Sequence, residues 1–195
     1  MGGLFKNVVV LCTGRCGSKV FVQACSRMTN YTAGHETCTK LVGPARMAWP
    51  SFHIEADCRL CWMTGRLDRE WGGTPFYVHL TRDPRKVAAS YGDRWHSQSS
   101  LLPFYVHNVL VRVKGPPSRR CRNTRLAWML EAGLDCVDTM EANIRLFLRD
   151  KPNQMEFPIE RADDLFPVFW RRIGAEGDLD AALREFRRSA EEQKH

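Results

Sequence analysis

The feature that most constrains the fold is a short apolar run that ends in a glycine-containing turn. Residues 7–12 read Asn-Val-Val-Val-Leu-Cys, and an unbroken β-branched run of this kind is typical of a strand buried on both faces. A turn follows at residues 13–17, and residues 18–28 then carry apolar side chains at helical spacing. A buried strand, a tight turn and a helix open a βαβ unit. We therefore expect an α/β fold with a mainly parallel central sheet.

The rest of the chain carries further strand and helix patterns without a linker that would divide it. Residues 74–81 predict a second strand, after which Asp83 and Pro84 suit the N-cap and first turn of a helix. Residues 97–125 have no regular pattern and are interpreted as a long surface segment. The remaining elements are a long amphipathic helix over 125–149, a strand over 154–160, and helices over 162–173 and 178–193. We expect one domain, a three-layer sandwich with helices on both faces of the sheet.

The positive charge of the chain is concentrated in one region. The net charge is +7, and residues 82–125 alone hold ten Lys or Arg and two Asp or Glu. An anionic partner is therefore expected. No apolar run reaches the roughly 18 residues that indicate a membrane span, and residues 1–6 lack the pattern of a secretory signal. We accordingly expect a cytoplasmic protein with reduced cysteines and no membrane span.

The turn after the first strand has the composition of an anion-binding loop. Its residues are Thr13, Gly14, Arg15, Cys16, Gly17, Ser18 and Lys19. Free backbone N–H groups at a helix start bind anions, and Arg15, Ser18 and Lys19 add further donors. Gly14 and Gly17 would let a ligand approach the backbone closely. We predict that this loop holds a phosphate or sulfate group.

Three familiar phosphate-binding motifs do not fit this loop. A nucleoside-triphosphatase loop has a longer gap before its Gly-Lys-Ser/Thr end, whereas two residues separate Gly14 from Gly17 and no hydroxyl residue follows Lys19. The glycine pattern of dinucleotide-binding folds is absent. A cysteine phosphatase has an arginine at a fixed distance after its cysteine, and neither Cys12 nor Cys16 has one there. P-loop kinase or ATPase chemistry is therefore disfavoured.

A second group of basic and hydroxyl residues follows the strand at 74–81. Arg82 stands at the end of that strand, and Ser90 and Arg94 are four residues apart, on one face of the next helix. The three side chains can converge on one multiply charged group.

Together, the two motifs resemble those of sulfotransferases that use 3′-phosphoadenosine 5′-phosphosulfate (PAPS). In that family, a strand–loop–helix with a basic residue, a glycine and hydroxyl residues holds the 5′-phosphosulfate, and Arg15, Gly17 and Ser18 match it. Lys19 stands where a second hydroxyl residue is common. The resemblance implies that Arg15 and Lys19 neutralise the charge that develops on the leaving phosphate.

The second motif is similar to the 3′-phosphate site of the same family nearly letter for letter. It reads Arg-Asp-Pro-Arg-Lys-Val-Ala-Ala-Ser, with Arg-Trp following, so Arg82, Ser90 and Arg94 would hold the 3′-phosphate. The resemblance implies a P-loop-like sulfotransferase domain over residues 1–195. It further implies PAPS as the donor, 3′-phosphoadenosine 5′-phosphate (PAP) as the product, no metal, and a small-molecule or carbohydrate acceptor.

An acceptor hydroxyl needs a base. Many members of the family place this base just after the second strand of the family's own fold. Here the corresponding residues are His35 and Glu36. Glu36 is the first candidate for the base and His35 the second. A structural role is an equal alternative for both, with His35 capping a helix and Glu36 forming an ion pair.

Two other features were weighed as sites. Cys58 and Cys61 form a C-x-x-C pair, with His53 and Cys38 upstream, but one such pair is a weak zinc signal and no metal is expected. The basic region has no aromatic ladder or recognised nucleic-acid motif, so no nucleic-acid partner is expected. A non-catalytic nucleotide-binding or nucleic-acid-binding module on the same fold is the alternative to an enzyme.

Overall fold

Parallel strands form the centre of the fold in the computed structural model, which describes residues 5–97, 100–118 and 120–192. The strands are β1 (Asn7–Cys12), β2 (Thr32–His35), β3 (His53–Ala56), β4 (Phe76–Thr81) and β5 (Gln154–Pro158). Their order across the sheet is β2-β3-β1-β4-β5, and every neighbouring pair is parallel. The predicted α/β class with a mainly parallel sheet is confirmed. Residue 193, at the end of the helix predicted over 178–193, lies outside the described residues.

Helices connect the strands. They are α1 (Ser18–Cys25), α2 (Thr64–Trp71), α3 (Pro84–Asp93), α4 (Leu101–Phe104), α5 (Arg122–Leu148), α6 (Ala162–Ile173) and α7 (Leu179–Glu192). The Asp83 carboxylate accepts a hydrogen bond from the Lys86 amide, so the predicted N-cap of α3 is confirmed. In the described part of the chain, no helix combines the length and the apolar character that a membrane crossing requires.

Two adjacent residues of β4 show that the sheet is covered on both faces. Successive side chains of a strand point to opposite faces, so Phe76 and Tyr77 meet different layers. The ring of Phe76 lies 6.1 Å from that of Phe169 in α6, and the ring of Tyr77 lies 5.1 Å from that of Phe147 in α5. Helices α1 and α7 share the layer of α6, whereas α2 and α3 pack against α5. This is the predicted three-layer arrangement.

The helix that follows the glycine-containing loop at residues 13–17 is anchored by aromatic packing. Phe21 of α1 is fully buried, and its ring lies 5.0 Å from Phe157, 5.7 Å from Phe166 and 5.3 Å from Phe169. Burying one such side chain stabilises a fold by about 1.5–3 kcal/mol. The start of α1, and the loop before it, are thereby held against the core.

Strands β2 and β3 were not predicted from the sequence. Each has only four residues, and the buried strand β3 contains His53 and Glu55, which interrupt any apolar pattern. These polar groups are satisfied across the sheet: His53 Nδ1 lies 2.8 Å from Thr32 Oγ1, and His53 Nε2 lies 3.1 Å from a carboxylate oxygen of Glu55. Because the partners come from two strands, the pattern along one strand does not reveal them.

Gly133 of α5 lies against α3, and its replacement tests this helix contact. A Cβ atom there would lie 2.9 Å from Ala88 Cβ and 3.0 Å from that residue's carbonyl oxygen. Alanine gains about 1 kcal/mol of helix propensity over glycine, but backbone atoms of α3 occupy the space it needs. We expect Gly133→Ala to lower the free energy of unfolding in urea by about 1–3 kcal/mol.

The control is Gly65→Ala in α2, where nothing lies within 4 Å of the added Cβ. This variant should leave the free energy of unfolding unchanged or raise it by up to about 1 kcal/mol. If both variants were equally stable, close packing of α3 on α5 would be wrong.

Candidate functional site

A cavity of about 420 Å³ lies among the loops that follow β1, β2, β3 and β4. In open parallel sheets, ligands bind outside the carboxyl ends of the strands, where such loops meet. The predicted site residues that line this cavity are Gly14, Arg15, Gly17, Ser18, Lys19, His35, Glu36, Arg82 and Arg94. The structure therefore brings the first loop, the second motif and both candidate bases to one place.

Three predicted site residues are not among those that line the cavity. Thr13 and Cys16 belong to the loop but are buried. Ser90 of α3 contacts the Arg15 side chain of the loop, because its hydroxyl accepts a hydrogen bond of 2.9 Å from Arg15 Nε.

The loop has an unusual backbone that α3 and the neighbouring strand end hold in place. Gly14, Arg15 and Gly17 have φ angles of 74°, 55° and 91°, a left-handed conformation that costs a non-glycine residue about 1–2 kcal/mol. The Arg82 guanidinium donates to the Arg15 carbonyl at 3.1 Å, and the Tyr91 hydroxyl donates to the carbonyl of the residue before Gly14. These bonds offset the strain and hold the loop backbone in place, while the bond to Ser90 fixes the direction of the Arg15 side chain.

The two glycines serve packing within the protein. A Cβ atom at Gly14 would lie 2.8 Å from the Tyr91 hydroxyl, and one at Gly17 would lie 2.9 Å from Ile159. The space beside each glycine is thus filled by the protein's own side chains. Both glycines also line the cavity, so close approach of a ligand to their backbone stays a prediction.

The cavity is strongly cationic. Arg15, Lys19, Arg82 and Arg94 line it, and the one acidic residue among its described lining residues is Glu36. Partial burial lowers the pKa of Arg15, and the positive charges of Arg94 and Arg82 lower it further. Like charges held this close repel each other, so an anion that enters the cavity is stabilised by all of them.

The two candidate bases are adjacent at the end of β2, but only His35 is a neutral proton acceptor. His35 Nε2 lies 3.0 Å from Ser18 Oγ. Burial lowers the pKa of His35 below the ordinary histidine value of 6.5. The ring is therefore uncharged near neutral pH and can accept a proton.

Glu36 is held by two neighbours. Its Oε1 accepts a hydrogen bond of 3.3 Å from the Cys58 thiol, and its Oε2 forms an ion pair of 2.8 Å with Arg59 Nη1. Burial alone raises the pKa of Glu36, but the contacts with Cys58 and Arg59 outweigh it and lower the pKa. A carboxylate with a lowered pKa is a weaker base.

A buried carboxylate that sequence reasoning missed supports the turn that carries these residues. Glu55 of β3 is fully buried. Its two oxygens accept hydrogen bonds from the amide and hydroxyl of Thr37, at 2.9 and 2.5 Å. Glu36 has a φ of 57°. The hydrogen bonds of the next residue, Thr37, to Glu55 hold this strained backbone in place. A glutamate within a strand gives no signal that it performs this role.

One member of the cysteine pair contributes to the cavity wall, and the candidate metal cluster found among the described residues has three ligands. Cys58 lines the cavity, and the Cys61 thiol donates to the Cys58 carbonyl at 2.9 Å. Ligand atoms of Glu36, Asp57 and Cys58 do lie within 4.8 Å of one another. However, Asp57 is paired with buried Arg46, just as Glu36 is paired with an arginine. Both carboxylates are thus already neutralised by the protein.

No protein-family model matches the chain, and no curated protein matches its sequence. Among solved structures, the fold is similar to that of the mouse sulfotransferase SULT7A1 complexed with PAP, with a TM-score of 0.62 and 10% sequence identity. The match covers 93% of this chain and 64% of that chain. The present chain thus matches less than two thirds of the length of the mouse protein. At this identity the likeness concerns the fold, and the chain has the fold of a sulfotransferase.

Proposed function

We propose that the protein is a sulfotransferase that moves a sulfuryl group from PAPS to a hydroxyl or amine of a small-molecule or carbohydrate acceptor. The observation that carries this proposal is the convergence of Arg15, Lys19, Arg82 and Arg94 on one cavity at the carboxyl edge of a parallel sheet. The volume of about 420 Å³ lies within the roughly 300–1,000 Å³ of small-molecule sites. Similarity to the fold of a PAP-bound sulfotransferase supports the choice of nucleotide.

The cations of the cavity suit a nucleotide that is anionic at both ends. Arg15, Ser18 and Lys19 cluster at the start of α1, where free N–H groups favour the 5′-phosphosulfate. Arg82 and Arg94 come from the end of β4 and the end of α3, and they would hold the 3′-phosphate. The Ser90 hydroxyl accepts a hydrogen bond from Arg15. It can still donate its own proton to a phosphate oxygen.

When bound, PAPS would supply a sulfuryl group that is already attached to a phosphate leaving group. Little covalent work is then required of the protein, which must position the reactants in line and stabilise charge. Arg15 and Lys19 would hold the phosphate as its negative charge grows. No metal is needed for this role, because the guanidinium and ammonium groups provide the positive charge.

We assign the base to His35 in preference to Glu36. His35 is neutral near pH 7 and its Nε2 lies in the cavity wall beside Ser18. When the Ser18 hydroxyl turns toward a bound phosphate, the Nε2 lone pair is released for the proton of the acceptor. Glu36 would instead orient Arg59 and the Cys58 thiol at the edge of the site.

The nucleotide specificity can be measured by thermal shift. At a concentration about 100 times its dissociation constant, a ligand stabilises the fold by about 2.7 kcal/mol, which raises Tm by roughly 5–10 °C in a protein of this size. We expect PAP to give such a shift, and Mg²⁺-ATP, NAD and short oligonucleotides to give much smaller ones. A larger shift with the oligonucleotide would favour a non-catalytic nucleic-acid-binding module, and a larger one with Mg²⁺-ATP would favour a kinase.

The role of the second motif can be tested by comparing two nucleotides that differ at the 3′ position. We expect Arg82→Ala to weaken PAP binding about 10–100-fold, the loss typical of a charged hydrogen bond, with a much smaller effect on adenosine 5′-phosphate. Ser90→Ala should show the same preference. Isothermal titration calorimetry gives both affinities.

Arg85→Ala is the matched control, because Arg85 is exposed and is not among the residues that line the cavity. It should change neither affinity appreciably. Equal losses of PAP and adenosine 5′-phosphate in Arg82→Ala would mean that Arg82 supports the loop through the Arg15 carbonyl and does not bind the 3′-phosphate.

The assignment of the base predicts different effects at neighbouring positions. His35→Gln should lower kcat about 10²–10⁴-fold while PAP affinity stays within about twofold, and Glu36→Gln should lower kcat much less. Transfer of radioactive sulfate from PAPS to a panel of phenols, alcohols and oligosaccharides gives the turnover. If Glu36→Gln lowered kcat more than His35→Gln does, Glu36 would be the base.

The same assignment predicts the pH dependence of turnover. A neutral His35 is required, so activity should fall as the pH drops through the pKa of His35 and the ring becomes protonated. Because that pKa is lowered, the fall should occur at a more acidic pH than for an ordinary histidine, with a plateau near pH 7. His35→Gln should lack this limb of the profile.

A further inference from the structure

The chain between α4 and the first turn of α5 exposes a concentration of large apolar side chains. Within residues 104–126 these are Phe104, Val109, Leu110, Val111, Val113 and Leu126. The other exposed large apolar side chains of the described residues are the adjacent Leu41 and Val42, and the isolated Phe52 and Leu146. A concentration of exposed apolar groups in one segment of the chain is typical of an interaction surface.

The same segment is basic and contains no acidic residue. No Asp or Glu occurs between Asp93 and Glu131. Arg112, Lys114, Arg120 and Arg122 are all exposed, and the first two alternate with Val111 and Val113 along the chain. The surface of residues 104–126, which we call the basic apolar segment, is thus apolar and cationic at once.

The base of this segment is fixed to the core, so its exposed side chains are carried on an ordered support. Leu102 and Val106 are fully buried, and the Tyr105 hydroxyl donates to the Asp135 carboxylate on α5 at 2.6 Å. Farther along, the Arg125 guanidinium donates to the Pro117 carbonyl at 3.0 Å. The residues between these two anchors are held at the surface from both sides.

We propose that the basic apolar segment docks the protein on an anionic membrane surface. Its apolar side chains would enter the boundary between headgroups and acyl chains, and its arginines and lysine would contact the phosphate-bearing headgroups. Charge complementarity selects an anionic partner. The exposed side chains are mostly aliphatic, and these gain more from leaving water in a bilayer than from contact with a hydrated polysaccharide.

Docking on this segment would bring the candidate site to the membrane. Ser100 and Leu101 line the cavity, and the chain runs directly from Leu101 through α4 into the basic apolar segment. A membrane that contacts the segment would therefore lie near the part of the cavity wall that these two residues form. This docking does not depend on the sulfuryl-transfer proposal, because it involves none of the cations of the cavity.

Sedimentation of the full chain with lipid vesicles tests the proposal directly. Vesicles of phosphatidylcholine mixed with phosphatidylglycerol should bind the protein at least about tenfold more tightly than vesicles of phosphatidylcholine alone. Added salt should weaken the binding, because it screens exposed charges. Equal binding to both kinds of vesicle, or to neither, would overturn the proposal.

Two variants separate the apolar contribution from the charge. Leu110→Ser/Val111→Ser/Val113→Ser retains the charge, and Arg112→Gln/Lys114→Gln/Arg120→Gln retains the apolar side chains. Each should lower affinity for the anionic vesicles by about 10–100-fold. The far-UV circular dichroism spectrum and the midpoint of urea unfolding should be unchanged in both, which shows that they fold.

Matched controls change the same residue types elsewhere on the surface. Leu41→Ser/Val42→Ser removes exposed apolar side chains, and Arg69→Gln/Arg149→Gln/Arg161→Gln removes the same number of exposed charges. Vesicle binding should stay within about twofold of the original protein. If the controls lost binding as strongly as the segment variants, general charge or apolarity would explain the result and the proposed surface would be wrong.

Two further outcomes would assign the surface to another partner and overturn membrane docking. Binding to heparin without binding to anionic vesicles would indicate an anionic polysaccharide. A dimer seen by light scattering, lost in the triple serine variant and accompanied by no vesicle binding, would indicate a second copy of this chain.

Discussion

Burial of β1 between two helical layers is the constraint on which the rest of the structure depends. All six residues of the strand are buried, and parallel strands on both sides complete its hydrogen bonds. Parallel pairing directs the carboxyl ends of β1, β2, β3 and β4 to one edge of the sheet. The loops that carry the cations and the candidate bases meet there as a consequence, although they are far apart in the sequence.

The site combines two unfavourable features that the surrounding fold compensates. Arg15 has a left-handed backbone, and its guanidinium lies near two other arginines. Hydrogen bonds from Arg82 and to Ser90 hold the backbone and side chain of Arg15 in place. Strain and like-charge repulsion of this kind are typical of sites that await an oppositely charged ligand, because the ligand relieves the repulsion. The order of the loop is therefore supplied by α3 and the end of β4.

His35 and Glu36 show how neighbouring residues acquire different chemistry. They are adjacent in the sequence, yet His35 contacts the hydroxyl of Ser18 whereas Glu36 is held by Arg59 and Cys58. Burial lowers the pKa of the histidine, and the contacts with a cation and a thiol lower that of the glutamate. The structural ion pair that was one alternative for Glu36 is present. The residue that we propose as the base is the one that is left uncharged.

The central strand, the loop after it, the N-cap of α3 and the long helix near the C-terminal half were all predictable from the sequence. Each is specified by local composition or periodicity, as in the β-branched run of β1 and the Asp83-Pro84 start of α3. The grouping of the loop at residues 13–19 with Arg82 and Arg94 was implied by the resemblance of both motifs to those of PAPS-dependent sulfotransferases. Only the tertiary structure decided the roles of Glu55 and Glu36, and the packing role of Gly17. Those roles depend on which side chains the neighbouring strands and loops bring into contact, and this information is not present in any short stretch of the chain.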